Sequence, residues 1–141
     1  MISCSPSATD RQLFLRIFKK SSVNSADVIR FLKELRRHIK GKMILVLDRL
    51  PAHRSNKLME FFDSQEHWLM IEYLPPYAPE LNPVEYVWSS AKLKDWANLY
   101  LESIDDVDDH IRKSGRRMRR NQKLLTGFLK ASKLFKRELS I

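Results

Sequence analysis

Apolar residues recur at two different spacings along this chain, and each change of spacing marks a change of element. Leu13, Leu15 and Ile17 alternate with Phe14, Arg16 and Phe18, the period of two that a strand shows. With Ile2 to Cys4, this run predicts a hairpin of strands 2–4 and 12–18 that turns through Pro6 to Asp10. Val28, Phe31, Leu32, Leu35 and Ile39 then follow at steps of three and four, which predicts a helix. Asn24 and Asp27 mark its start and Gly41 its stop. Met43 to Leu47 is apolar without alternation, so a buried parallel strand and a short buried helix both remain open; its length and β-branched members favour the strand.

A helix over 55–64 would bury Leu58, Phe61 and Phe62, and a strand over 68–73 leads into a proline-rich loop. The helix expected over 83–96 presents Val84, Val87, Trp88 and Ala91 on one side. Another starts near Ser103, with Asp105, Asp106, Asp108 and Asp109 early and Arg112 and Lys113 late, an order that suits the helix dipole. The last, from about Gln122, places Leu124, Leu125, Phe128, Leu129 and Phe135 inward. Strands interleaved with helices in this order argue for an α/β domain.

Composition narrows the class. The 141 residues are 43% apolar and 30% charged, which is globular and not disordered. No apolar run approaches a membrane span, and no signal peptide is visible. Cys4 is the only cysteine, so no internal disulfide can form; a reducing, cytoplasmic setting is expected. Charge is unevenly placed: residues 1–111 hold 15 Lys/Arg against 16 Asp/Glu, and residues 112–141 hold 11 against one. The domain organisation expected is therefore a body over 1–100 and a basic helical segment over 101–141. Arg112, Lys113, Arg116, Arg117, Arg119, Arg120 and Lys123 are its candidate DNA-binding residues, because dense cationic segments attract phosphate backbones. A solvated helix face accounts for such a run equally well.

Two carboxylates carry the candidate chemistry. Asp48 ends the apolar run, where open α/β sheets place their sites. Glu85 follows Asn82 and Pro83, so it falls in the first turn of a helix. Two acids presented this way can share divalent metal. Each has a structural reading too: Asp48 as a turn residue, Glu85 as part of a helix cap. His53 is a candidate for orienting phosphate or water, and Asn82 reads as a cap. Pro75, Pro76, Pro79 and Pro83 would stiffen the loop that presents Glu85.

Three stretches together carry a family resemblance: Leu45-Val46-Leu47-Asp48-Arg49-Leu50-Pro51-Ala52-His53-Arg54, then Leu74-Pro75-Pro76-Tyr77-Ala78-Pro79-Glu80-Leu81-Asn82-Pro83-Val84-Glu85, then Val87-Trp88. The chain resembles the DDE transposases of bacterial insertion sequences related to the mariner superfamily. The 36 residues between Asp48 and Glu85 are close to that family's spacing. The resemblance implies a ribonuclease-H-like (retroviral-integrase-like) fold, with Asp48 and Glu85 as the second and third catalytic acids and metal ligands. It implies Mg²⁺ or Mn²⁺ as cofactor, and DNA cleavage and joining at transposon ends.

The family's first acid lies on a strand for which this chain shows no counterpart, and neither Asp10 nor Asp27 matches it. The expectation is a fragment that is inactive alone, its metal site completed only by an upstream-encoded segment. DNA, that segment and a homodimeric copy are the expected partners, with no membrane. A non-catalytic DNA-binding or oligomerising remnant is the alternative. A two-carboxylate glycosidase is a third reading, and the basic segment speaks against it.

Overall fold

The computed structural model describes residues 2–4, 11–16, 22–97, 99 and 103–134. Pro6 to Asp10, Ile17, Phe18 and Phe135 lie outside the described residues. The chain forms two compact units, Phe18–Ala78 and Met1–Ile17 with Pro79–Ile141.

The first unit holds α1 (Ser25–His38), β3 (Met43–Leu47), α2 (Asn56–Ser64) and β4 (Leu69–Tyr73), which follow β1 (Ile2–Cys4) and β2 (Arg11–Leu13) of the other unit in chain order. Helix α1 opens on a reciprocal capping box. Asn24 Oδ1 accepts the Asp27 N–H at 3.1 Å, and Asp27 Oδ2 accepts the Asn24 N–H at 3.0 Å, satisfying donors that a helix start leaves orphaned. Gly41 takes a φ of 93° after the helix, a conformation that favours glycine. Ser55 caps α2 by accepting the Leu58 N–H.

Strands β3 and β4 pair in parallel, Ile44 opposite Met70 and Leu45 opposite Ile71, and α2 is the crossover between them. Leu45 and Leu69 are buried, whereas Ile44 is 63% and Met70 59% exposed. The run Met43–Leu47 is thus a strand, covered on one face instead of the two that its continuous apolarity suggests. Side chains alternate across a sheet, and among the described residues only the Leu45 face is packed. Trp68 closes this core. Its Nε1–H donates to Gln65 Oε1 at 2.8 Å, and the Arg36 guanidinium lies 4.6 Å from its ring centre.

In the second unit, β1 (Ile2–Cys4) and β2 (Arg11–Leu13) pair antiparallel, as the hairpin reading requires. Strand β2 ends at Leu13, and residues 14–16 are not strand. Helix side chains take up its backbone groups: Gln122 bonds both the N–H and the C=O of Arg11 at 2.7 and 2.9 Å, and Arg119 Nε–H donates to Leu13 O at 2.8 Å. These contacts satisfy polar groups that an unpaired strand edge would leave open.

Helix α3 (Pro83–Ser90) runs on as a π-helical turn, Ala91–Asp95. Helices α4 (Ile104–Arg119) and α5 (Gln122–Ala131) follow, so the basic segment belongs to the same compact unit as the hairpin. Leu13, Val87, Ala91, Met118, Leu125 and Phe128 form the core, with Trp96 and Leu124 packed against it. Two small two-stranded sheets and five α-helices make the described part of an α/β protein.

Candidate functional site

Asp48 directly follows β3, and its carboxylate is held from one side. Oδ1 accepts the Leu50 N–H at 3.2 Å and meets His53 Nδ1 at 2.6 Å. A 3₁₀ turn, Pro51–Arg54, brings His53 back to it; the proline suits the first position of such a turn. The end of β4 staples this loop in place. Tyr73 Oη donates to His53 O at 2.9 Å, and Arg49 Nε donates to Leu74 O at 3.0 Å. A carboxylate and an imidazole therefore stand on a braced loop at the C-terminal ends of two parallel strands, the end where such sheets carry chemistry. Sequence reasoning named Asp48 and His53 but missed Tyr73 and Arg49, whose partners lie 20 and 25 residues away.

Glu85 lies in the other unit. Asn82 caps α3, its Oδ1 accepting the Val84 N–H at 3.1 Å, and Pro83 occupies the first turn. Glu85 is exposed in that turn. The reciprocal box that α1 and α4 make is not formed at α3 among the described residues, so the cap rests on Asn82. Upstream, Tyr77 is fully exposed with a φ of 58°. Asp48 and Glu85 are each positioned within their own unit. Among the described residues no three His, Cys, Asp or Glu side chains gather as a metal site.

The basic candidates divide by what they touch. Arg117 is bidentate to Asp95, Nε to Oδ1 at 2.8 Å and Nη2 to Oδ2 at 2.7 Å, and also reaches Ser90 Oγ at 3.3 Å. Burial pushes the Asp95 carboxyl up. The hydrogen bonds from Arg117, with the charges of Arg117 and Lys94, outweigh it and hold the group below its ordinary value. Arg112 pairs with Asp108 one turn back, and Arg119 holds β2. Lys113, Arg116, Arg120 and Lys123 are exposed.

The description of the DDE superfamily endonucleases matches residues 4–109, a span that includes both Asp48 and Glu85. The match covers most of the chain, so the chain belongs to that family: a nuclease of the transposase type, with DNA as the substrate of the class. Enzymes of the superfamily generally use divalent metal. No curated protein and no solved structure matches the chain. No helix among the described residues is long and apolar enough to cross a membrane.

Proposed function

We propose that this endonuclease is a transposase of the bacterial insertion sequences related to mariner, with Asp48 and Glu85 as its second and third catalytic acids. The observation that carries the reading is the family match across both residues, joined to their settings: one just past a parallel strand, the other in the first turn of an Asn-Pro-capped helix. An antiparallel pair followed by a parallel β-α-β unit supports a ribonuclease-H-like arrangement, and the basic residues of α4 and α5 support DNA contact.

Both carboxylates suit a hard cation. Glu85 is exposed, the Asp48 side chain is 37% exposed, and the Asp48 hydrogen bonds fall on Oδ1, which leaves oxygen donors of the kind that Mg²⁺ or Mn²⁺ takes. The bound metal would activate the attacking oxygen and stabilise the leaving one in phosphodiester cleavage and strand transfer. His53 fixes the orientation of the Asp48 carboxylate, and Asn82 fixes the backbone that carries Glu85. The class uses three acids, and the two motifs supply two. Cleavage therefore requires a third acid beyond Asp48 and Glu85.

The test is cleavage of DNA carrying the element's ends, in Mg²⁺, by the chain and by its Asp48→Asn and Glu85→Gln variants. Metal-dependent cleavage, abolished by either substitution, is expected. Metal-dependent cleavage by the chain alone that survives both substitutions would overturn the assignment. The exposed basic residues of α4 and α5 favour a second reading, a non-catalytic DNA-binding remnant. Salt-sensitive, metal-indifferent binding with no cleavage identifies it.

A further inference from the structure

Strands β3 and β4 end side by side in the first unit, and the two loops that leave them are tied together. The Leu74 N–H donates to Leu47 O at 2.8 Å, one residue before Asp48. Arg49 Nε, one residue after Asp48, donates back to Leu74 O at 3.0 Å. Pro75 and Pro76 follow, each with a fixed φ and no N–H, and a turn then delivers Tyr77. Three peptide links keep its Cα within about 11 Å of the Leu74 Cα. Asp48 and Tyr77 therefore stand on one rim, on loops pinned to each other.

The Tyr77 side chain is fully exposed while its backbone holds a φ of 58°. A single exposed aromatic needs no explanation by itself. One in the left-handed region does, because bulky side chains avoid it. Lys133 is the other non-glycine residue with a positive φ among the described residues, and it follows the cap of α5, where that conformation closes a helix. Tyr77 closes no helix, and its exposed ring has no packing to hold it there. Strain that no packing offsets points to a function at that position.

The neighbours narrow the ligand. Leu50, on the Asp48 loop, is 56% exposed, and Arg54 at the end of its 3₁₀ turn is exposed too. Apolar and cationic side chains beside a nuclease carboxylate suit a nucleotide, the ring for a base and the guanidinium for a phosphate. Phosphates along one strand lie about 3.4 Å apart, so the short stretch from Leu74 to Tyr77 reaches only a few nucleotides.

We propose that Tyr77 stacks on a nucleobase of the bound DNA, a few nucleotides from the phosphate at Asp48, and so positions the strand for cleavage. The occupant rests on the DNA-acting reading above; the exposure and strain of Tyr77 do not. Stacking is blind to base identity because every base has a π-face, so the contact sets the placement of the strand and not its sequence.

The test uses the full chain and two fluorescein-labelled duplexes, one with a single-stranded thymidine tail and one with an abasic tail of equal length. Affinity is read by anisotropy in EDTA, which withholds metal and keeps the readout independent of cleavage. Circular dichroism verifies that Tyr77→Ala and Tyr77→Phe are folded. Tyr77→Ala should weaken the thymidine-tailed duplex about tenfold and leave the abasic one at wild-type affinity. Tyr77→Phe should bind both as the wild type does, since the ring remains. The slope of log affinity against log salt should not change in either variant, because no charge is lost. If Tyr77→Ala matches the wild type on the thymidine tail, or weakens both tails equally, the ring does not stack on a base, and the DNA-acting reading stands without it. If the wild type binds neither duplex, the nucleobase and the DNA-acting reading fail together.

Discussion

Asp48 Oδ1 and His53 Nδ1 lie 2.6 Å apart although five positions separate them in sequence, because the 3₁₀ turn Pro51–Arg54 carries His53 back. The imidazole fixes one carboxylate oxygen and faces it away from freedom of rotation, as an orienting partner does around metal-binding groups. Both side chains are part-exposed, at 37% and 21%, so solvent dilutes the interaction. A double-mutant cycle on Asp48→Ala and His53→Ala, followed by urea denaturation, should give a coupling of about 1 kcal/mol. In the cleavage assay His53→Ala should cost about 10- to 100-fold, the range typical of orienting partners, where Asp48→Asn abolishes cleavage. Equal losses from both substitutions would give His53 a larger role than orientation.

The Arg117–Asp95 pair carries a pH dependence whose sign is fixed. A carboxylate held below its unfolded value adds stability above that value and loses it as pH falls through the folded-state pKa. For Asp95 the unfolded reference is 3.8, so the contribution is complete at neutral pH and fades in more acidic solution. Arg117→Gln should cost about 1–2 kcal/mol at pH 7, and the gap to wild type should narrow below about pH 3.8. Denaturation at a series of pH values measures it; a gap that widens in acid would contradict the pairing.

Arg117 also shows where sequence reasoning stops. The caps at Asn24, Ser55, Asn82 and Ser103 form at the positions their residue types suggest, because a cap is local chemistry. The parallel strand, the hairpin and the helix order were legible for the same reason: periodicity and turn residues act over short distances. Asp95 lies 22 residues from Arg117 and Leu13 lies 106 from Arg119. Nothing in a run of arginines says which of them tertiary structure will use. Asp48 and Glu85 were legible through motif context alone, since neither carboxylate is buried.

Tyr77 holds a φ of 58° while its side chain is fully exposed. It follows Pro75-Pro76 in a turn, a place that favours glycine when φ is positive. The left-handed region costs a non-glycine residue about 1 kcal/mol, and exposure offers no packing to offset it. Tyr77→Gly should therefore leave stability unchanged or raise it by up to about 1 kcal/mol in urea denaturation. A clear loss would show that the ring is held by contacts that its exposure does not reveal.

The two glycines of the basic helices should respond differently to alanine. Gly127 lies within α5, and a Cβ there meets nothing within 4 Å. Alanine relieves the helical cost of glycine, about 0.5–1 kcal/mol, so Gly127→Ala should raise Tm by about 3 °C. Gly115 gains the same propensity, but its new Cβ would sit 2.9 Å from Leu15 Cδ1. That atom is the end of a flexible side chain and can move, so the clash offsets the gain instead of unfolding the unit. Gly115→Ala should therefore leave Tm close to wild type in thermal denaturation. A Gly115→Ala protein that gains as much stability as Gly127→Ala would show that Leu15 yields to the new Cβ without cost.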